Sequence, residues 1–392
     1  MPSAPTRFRH PLDSPDPVAQ HYYGRFLKSG KAPPWREQAD GLAAALWRGD
    51  PLADAWVEKS DTLDRARAED LLESALENRR GALAAAPFEL VALFEQLRAV
   101  PLWVDPSAIE QGCRTARRAG PIAGAVLSGF SLMGGYRSSA VVKPLIMTGK
   151  LRDGASRRLT ETGRFVVAIT EPGALHGPEA GFQACVRVRL LHARIRRRLA
   201  RSADWKAEAW GLPINQADML GTNLLFSLGF LIGARELGMS FSGEEAESVI
   251  HLWRYVGYLL GIDETLLPAS EREAERIMYL VGASQPAPDA DSVELARALH
   301  REPLERARSE RQRRMARAEM VVRAALSRIL LGDQVADELE LPKSSWRFGI
   351  RFLVPLVALL ERVRRATPFG NEVAYLLGER WIKRAVARPL GP

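Results

Sequence analysis

Residues 181–198 read GFQACVRVRLLHARIRRR, and the spacing within this stretch indicates how the chain folds. Written as a helix, the stretch places Cys185, Val188 and His192 on one stripe with the following Leu199, because residues three and four positions apart share a helix face. Most of its arginines fall on other faces. The spacing therefore predicts an amphipathic helix that turns one histidine towards the protein interior.

The same helical periodicity recurs along the chain. Segments with this pattern are residues 62–86, 158–170, 182–200, 217–237, 248–260 and 270–281. Sustained alternation of apolar and polar residues, the mark of a half-buried strand, is nearly absent. The 392 residues are 46% hydrophobic and 26% charged, values that exclude a disordered or collagen-like protein. Together these features predict an all-α protein long enough to bury a large core.

Proline, glycine and charge divide the chain into three regions. Residues 1–40 are rich in proline and charge, which is typical of an extended arm. Residues 41–283 carry the densest apolar helices, and a run of small residues and prolines follows at residues 282–291. Residues 284–392 are predicted to form further helices that pack on the core and do not fold independently. No internal repeat of fixed length is visible.

Two long uncharged stretches, residues 119–136 and 219–234, approach the length of a membrane span. Glycines, serines and a proline dilute the first, and charged residues flank the second. Both are therefore predicted to be buried helices, and we expect no stable membrane insertion. Residues 1–12 lack the apolar segment of a secretory signal. On the sequence as given we expect a cytoplasmic protein, or a secreted or periplasmic one if a signal was removed.

Sequence motifs exclude several classes of enzyme. The chain has no GxSxG nucleophile elbow and no HExxH zinc motif. It also lacks GxxxxGK(S/T) and GxGxxG, the glycine-rich loops that bind phosphates. Its two cysteines, Cys113 and Cys185, exclude a disulfide scaffold and a cysteine-based zinc finger. The net charge of +8 favours acidic partners in general. However, the arginine-rich residues 301–328 contain no aromatic side chains for stacking on bases, so we expect a solvated helix and no nucleic-acid partner.

His192 is the candidate ligand for a metal. A buried imidazole with cationic neighbours is either a core group or a ligand of a metal or haem iron, and the spacing alone leaves both interpretations open. Arg196 lies one turn further along the helix, where it would be able to pair with a haem propionate. Alternatively, Arg196 is a solvated arginine on the surface. His251, which precedes Trp253 and Tyr255 on a predicted helix, is the second candidate ligand.

A second polar cluster interrupts the apolar stripe of the helix predicted at residues 158–170. Arg158, Glu161 and Thr162 share a face there with Phe165, because these positions are separated by about one turn. The simplest interpretation is an ion pair between Arg158 and Glu161 on the surface, which is a common and weak interaction. A charged pair and a hydroxyl in an apolar stripe also make the segment a second candidate for a functional site.

Several segments together resemble the rubber oxygenase family, which includes the MpaB-type oxygenases and the latex clearing proteins. They are Thr148-Gly-Lys-Leu151, Arg158-x-x-Glu161-Thr162, Arg187 to His192, Gly211 to Thr222 with Phe226-Ser227, and Trp253 to Gly261. The likeness extends over about residues 85–345. The segment that contains His192 and the segment that contains Asn215-Gln216-x-Asp218 are fairly specific as a pair.

The resemblance implies a helical fold with a globin-like core, flanked by additional helices, that binds a b-type haem. In this family the axial ligand lies in the segment that matches His192, and the arginine that matches Arg196 lies near the haem propionates. The distal pocket of latex clearing proteins uses an Arg-x-x-Lys-Thr motif, where this chain has Arg158, Glu161 and Thr162. Because Glu161 replaces the lysine, the likeness predicts no lysine bound to iron. It predicts a carboxylate that accepts a proton, with Arg158 and Thr162 orienting oxygen or Glu161.

The activity that the resemblance implies is dioxygenation. A haem b protein with O₂ as co-substrate would cleave a C=C bond in an apolar isoprenoid, another unsaturated lipid-like molecule or polyisoprene. Apolar helices within residues 119–145 and 224–232 are the candidate walls of a substrate tunnel. Two other interpretations stay open: a haem enzyme of the same fold with hydroxylase or peroxidase chemistry, and a helical lipid- or haem-binding protein without turnover. The sequence does not determine the oligomeric state.

Overall fold

The computed structural model of the chain describes residues 3–9, 35–81, 83–149 and 155–386. Within these ranges the backbone is helical or irregular, and no residue lies in a β-strand. The predicted all-α fold is therefore confirmed. Most of the predicted N-terminal arm, and Lys150 and Leu151 of the Thr148-Gly-Lys-Leu151 segment, lie outside the described residues.

The helices are labelled in chain order. The first eight are α1 (Trp35–Ala45), α2 (Pro51–Ser60), α3 (Arg65–Leu76), α4 (Phe88–Arg98), α5 (Pro106–Arg118), α6 (Pro121–Gly135), α7 (Ser139–Met147) and α8 (Ala155–Ile169). Five more are α9 (Ala180–Ala200), α10 (Ala207–Trp210), α11 (Gln216–Phe226), α12 (Leu228–Glu236) and α13 (Gly243–Leu259). The last five are α14 (Glu271–Ser284), α15 (Ala290–Arg306), α16 (Glu310–Glu338), α17 (Trp346–Ala366) and α18 (Gly370–Val386).

Polar side chains begin several of these helices. Asp50 accepts a hydrogen bond from the amide of Ala53 at the start of α2, and Asp105 starts α5 in the same way; a proline follows each aspartate. Ser242 and Glu245 form a reciprocal capping box at the start of α13. Such caps satisfy backbone amides that have no partner inside the helix, which fixes where each helix begins.

The apolar helices α6, α11 and α12 lie at the centre of the fold, where α6 contacts both of the others and α16. Within α6, residues 127–132 widen into a π-helical turn. Of the described chain, only Gln216–Glu236 is long and apolar enough to cross a membrane by length and composition. This stretch is interrupted at Ser227, and 72% of its apolar window is buried inside the fold.

The two ends of the described chain are held to the rest of the fold by ion pairs. Residues 3–9 lie against the core, where the buried Arg7 donates two hydrogen bonds of 2.8 and 2.9 Å to Asp218. Helix α1 begins inside the range predicted as an arm. At the other end, α18 contacts α5, and the buried Arg117 of α5 pairs with Glu379 of α18.

Helices α5 and α13 form a close helix pair, and one glycine permits their approach. A β-carbon at Gly112 of α5 would lie 2.3 Å from the carbonyl oxygen of Ser248 and 2.9 Å from Cβ of Leu252. Real β-carbons do not come that near to a backbone oxygen. Glycine at this position therefore lets α13, which carries His251 and Trp253, lie directly on α5.

We predict that Gly112→Ala lowers the free energy of unfolding by about 1–3 kcal/mol, because the added methyl group pushes two packed backbones apart. Urea unfolding followed by circular dichroism measures this change. The matched control is Gly41→Ala in α1, where a β-carbon meets nothing within 4 Å. That change should stabilise the protein slightly, since alanine is the better helix former. Equal effects of the two substitutions would show that Gly112 does not set the spacing of α5 and α13.

Candidate active site

Helix α9 carries His192 and contacts α2, α8 and α13. Its most buried face includes Val186, Arg189, Ala193 and Arg196, and His192 lies half-buried at the edge of that face. The interior face is thus displaced from the stripe that the apolar spacing predicted. The displacement arises because two arginines on α9 lie inside the protein, where pattern analysis places apolar residues.

The imidazole of His192 is neutral and has unused hydrogen-bonding capacity. Its Nδ1 atom is buried and has no hydrogen-bond partner among the described residues. Burial lowers the pKa of His192 to about 4, and the positive charges of Arg196 and Arg158 lower it further. A buried polar atom without a partner calls for an explanation, and a neutral imidazole is the form of histidine that binds metals. His192 therefore fits the role of a metal ligand.

Arg196 is buried, with 3% of its side-chain surface exposed, so it is not the solvated surface arginine of one interpretation. Its Nη1 donates to Oδ1 of Asp54 at 2.6 Å, and its Nε and Nη2 donate to the carbonyl oxygen of Ile214. These contacts tie α9 to α2 and to the loop before α11. The guanidinium is therefore already directed at protein groups, and its pairing with a haem propionate stays a prediction without support from these contacts.

Arg158 connects His192 with a cavity. The arginine is half-buried on α8, and its Nε is buried without a hydrogen-bond partner among the described residues. Its charge lowers the pKa of His192, and it also acts on the buried Tyr136, whose pKa is raised by burial despite that charge. Arg158, Tyr136, Asp218 and Thr222 line a cavity of about 210 Å³. The sequence-predicted residues His192 and Arg158 are thus brought together.

A second and larger cavity of about 850 Å³ lies next to the first. Phe226 lines both cavities, and the lining of the larger one also includes Val166, Trp253 and Phe230. Their walls draw on residues 119–145 and 224–232, the segments that the sequence suggested as tunnel walls. The linings are mostly apolar, so the two cavities suit an apolar molecule.

Glu161 lies on the outer side of α8, and the predicted ion pair with Arg158 is wrong. Its Oε1 accepts from Nε of Arg157 at 2.8 Å, and 57% of its side-chain surface is exposed. The reason is the helix geometry: Arg157 and Glu161 are four residues apart on the solvent side, whereas Arg158 turns inwards. Glu161 and the half-buried Thr162 line neither of the two cavities. Catalytic roles for Glu161 and Thr162 stay predictions that this geometry does not favour.

His251, the second candidate ligand, is already engaged. Its Nε2 accepts a hydrogen bond of 3.0 Å from the amide of Asp105, and its ring stands edge-on to Trp103 with centroids 5.7 Å apart. A ligand role for His251 stays a prediction that this geometry does not favour, because the ring nitrogen with the lone pair holds the start of α5. Among the described residues no three His, Cys, Asp or Glu side chains cluster for a metal ion. A metal at His192 would need its remaining ligands from elsewhere, as haem iron has from its porphyrin.

The Asn215-Gln216-x-Asp218 segment builds the frame of the site. Asn215 caps α11 and donates a hydrogen bond of 2.8 Å to Asp218. Asp218 also accepts hydrogen bonds from Arg7. The side-chain amide of Gln216 donates to the carbonyl oxygens of Gly49 and Gly261, each at 2.8 Å. These polar residues hold loops together beside the smaller cavity. No local signal in the sequence pointed to Arg7, because its partner is more than two hundred residues away.

One further buried pair supports α9 and was not predicted. Nε and Nη2 of Arg189 donate to the two carboxylate oxygens of Asp50 at 2.6 and 2.9 Å, and Nη1 donates to Gln96 at 2.6 Å. Both charged side chains are 3% exposed. A bidentate pair of this kind fixes orientation as well as distance. It holds α9, and with it His192, against the loop before α2.

Fold and site together define a class: an all-helical protein with two apolar cavities and a neutral, partly buried imidazole, in which Arg158 lines the smaller cavity and acts electrostatically on His192, while His192 itself lines neither cavity. A family model described as "ER-bound oxygenase mpaB/B'/Rubber oxygenase, catalytic domain" matches residues 117–365, well over half of the chain. The chain therefore belongs to this family, and the resemblance predicted from the sequence is confirmed. The matched region contains Arg158, His192 and Arg196 and crosses the predicted boundary at residue 283.

Two individual relatives agree with this assignment. The rubber oxygenase of Streptomyces sp. (strain K30) is 25% identical over 242 residues, which are 60% of this chain and 55% of that protein. The chain thus spans about half the length of this curated relative. The solved structure of a latex clearing protein in its closed state superposes with a TM-score of 0.66 at 20% identity, over 88% of this chain and 94% of that one. At that identity the likeness shows the fold alone.

The lowered pKa of His192 predicts a specific dependence of stability on pH. In the folded apoprotein His192 stays neutral down to about pH 4, whereas the unfolded imidazole gains a proton near its ordinary pKa of about 6.5. As the pH falls from 7 to 5 the unfolded state therefore binds more protons than the folded state. The wild type should lose about 2 kcal/mol more unfolding free energy over this interval than His192→Gln.

Urea unfolding of the haem-free wild type and of His192→Gln at both pH values measures this difference. The remaining titratable groups are common to both proteins, so the difference isolates His192. Parallel losses of stability in the two proteins would mean that His192 titrates normally and is not buried beside Arg158 and Arg196.

Proposed function

We propose that this protein is an oxygenase, an oxidoreductase that uses haem b and O₂ to cleave a C=C bond in an apolar isoprenoid or similar unsaturated molecule. The observation that carries the proposal is the neutral ring of His192, whose buried Nδ1 has no partner among the described residues. Membership of the oxygenase family over residues 117–365 supports it, as does the likeness to a rubber oxygenase.

The residues present fit a haem with one protein ligand. His192 would hold the iron, and the absence of a carboxylate or cysteine cluster among the described residues suits a metal whose other ligands come from a porphyrin. When bound, haem supplies the activation of O₂ that oxidative cleavage of an alkene requires. Burial, with a further contribution from Arg196 and Arg158, keeps the imidazole neutral, which leaves it ready to bind iron.

The chain's own residues supply binding, orientation and charge. The apolar walls of the two cavities hold the hydrocarbon substrate and exclude water. Phe226 lines both cavities. Arg158 places a positive charge at the wall of the smaller cavity. A fixed cation at this position stabilises negative charge that develops on oxygen during the reaction. This is the role that we propose for Arg158, in place of proton transfer by Glu161.

The size of the cavities favours a small substrate. The larger one, at about 850 Å³, lies within the range of about 300–1,000 Å³ that is usual for pockets that enclose a ligand. A terpenoid or another diffusible isoprenoid lipid would fill it. A long polyisoprene would have to enter it by a part of its length, so we propose the smaller molecules as substrates.

We predict that His192→Ala loses most of its haem on purification, because the iron–imidazole bond is the main specific attachment. The pyridine haemochrome assay and the Soret absorbance of purified protein measure the haem content. The matched control is His251→Ala, which removes a histidine that binds the backbone of α5 and should keep its haem. Full haem occupancy with an unchanged Soret band in His192→Ala would overturn the assignment of the ligand.

Activity is tested with an isoprenoid alkene and its saturated counterpart. The haem-loaded wild type should consume O₂ and release carbonyl fragments with squalene and leave squalane unchanged. Hydroxylated squalane, or oxidation that requires peroxide, would favour a hydroxylase or a peroxidase of the same fold. Haem retention without any O₂ consumption across unsaturated lipids would favour a binding protein without turnover.

A further inference from the structure

Helix α17 is amphipathic, but its apolar side faces solvent and charged residues on its other side are buried. It exposes an apolar stripe at helical spacing, whose members are Phe352, Leu353, Leu356, Leu359, Leu360 and Val363. Phe352 alone has 82% of its surface exposed. The same helix buries charged residues: Glu361 accepts from Arg118 at 3.2 Å, and Arg364 donates to Glu361 and to the carbonyl oxygen of Ser240. The buried ion pairs fix the rotation of α17, so the apolar stripe has to face outwards.

Helix α18 continues this surface. Val373, Leu376 and Leu377 are exposed on it, and Phe369 is exposed in the turn between the two helices. Of the nineteen large apolar side chains that are exposed in the described part of the chain, thirteen lie within residues 346–381. We call this surface of α17, the turn and α18 the C-terminal apolar face. A concentration of exposed apolar side chains marks a surface that contacts another molecule, whereas apolar side chains exposed singly need no such explanation.

The charge around the C-terminal apolar face is positive. Residues 346–386 contain eight Lys and Arg against three Glu, a net charge of +5 out of +8 for the whole chain. All three glutamates pair with arginines of α5: Glu361 with Arg118, Glu379 with Arg117 and Glu372 with Arg114. The exposed cations of this segment are Arg351, Arg362, Arg365, Arg380, Lys383 and Arg384, of which Lys383 also lies 4.0 Å from Glu379.

We propose that the C-terminal apolar face docks on the surface of an anionic lipid bilayer. Apolar side chains on one face with arginine and lysine beside them are the composition of helices that lie in a membrane interface. Anionic headgroups complement the net charge of +5. A second copy of the same face would bring two like-charged surfaces together, which disfavours self-association. Docking of this kind needs no membrane-spanning helix.

The position of the larger cavity supports the same inference. Trp346 of α17 and Trp381 of α18 line that cavity, and both are exposed at the C-terminal apolar face. Tryptophan is favoured at membrane interfaces because its ring is apolar and its N–H is polar. A lipid-soluble ligand would therefore pass from the bilayer into the cavity beside these rings. The docking proposal itself does not depend on the oxygenase activity.

Co-sedimentation of the full-length protein with vesicles tests the proposal. The wild type should bind vesicles of phosphatidylcholine and phosphatidylglycerol in equal parts and bind phosphatidylcholine alone much less. The double variant Phe352→Asp/Leu356→Asp should bind the anionic vesicles at least about tenfold more weakly, because charge replaces apolar contacts in the interface. The control is Phe88→Asp/Leu102→Asp, at two exposed apolar residues far along the chain from this face, which should bind as the wild type does.

A second variant separates charge from apolar contact. Arg362→Gln/Arg365→Gln should weaken binding to the anionic vesicles and reduce their preference over neutral ones, because four exposed cations remain on the face, with an unchanged thermal unfolding curve. Equal binding of the wild type to neutral and anionic vesicles would overturn the electrostatic part of the proposal. Absence of wild-type binding to either vesicle would overturn it altogether. So would a concentration-dependent dimer in sedimentation equilibrium that Phe352→Asp/Leu356→Asp dissociates, since the face would then be a contact between copies.

Discussion

The pairing of buried arginines with carboxylates is the constraint on which the rest of the structure depends. The arginines buried in the described chain are Arg7, Arg117, Arg118, Arg189, Arg196, Arg328 and Arg364. A guanidinium removed from water has to be compensated by a partner of good geometry, and leaving one unpaired costs several kcal/mol. Most of the partners lie on a different helix or loop, so each pair fixes the placement of two elements that apolar packing alone would leave freer to slide.

The site inherits its electrostatics from these pairs. Arg189 and Arg196 lie on the same helix as His192, and their carboxylate partners Asp50 and Asp54 flank the start of α2. The imidazole between them is kept neutral by burial and by neighbouring positive charge. The same constraint acts at the other end of the chain, where the ion pairs of α17 turn its apolar stripe outwards. The pairing of buried arginines thus shapes both the surroundings of His192 and the apolar surface near the larger cavity.

Periodicity predicted the all-α fold and the helix that carries His192, since core packing repeats locally along the sequence. It did not predict that Arg196 is buried or that Glu161 is exposed, because both residues occupy ordinary helical positions. Whether such a residue is buried depends on a partner distant in sequence, as Asp54 is for Arg196, and no local pattern reports that partner. The apolar stripe of α17 reads the same whether it faces the core or the solvent. Its outward orientation follows only from the buried pair of Glu361 and Arg118.

The central claim is that His192 binds the iron of a haem. An anomalous difference map collected at the iron absorption edge from crystals of the haem-loaded protein tests it most directly. The account predicts one strong peak at coordination distance from a ring nitrogen of His192. An iron peak at any other side chain, or no iron peak in crystals of active protein, would contradict it.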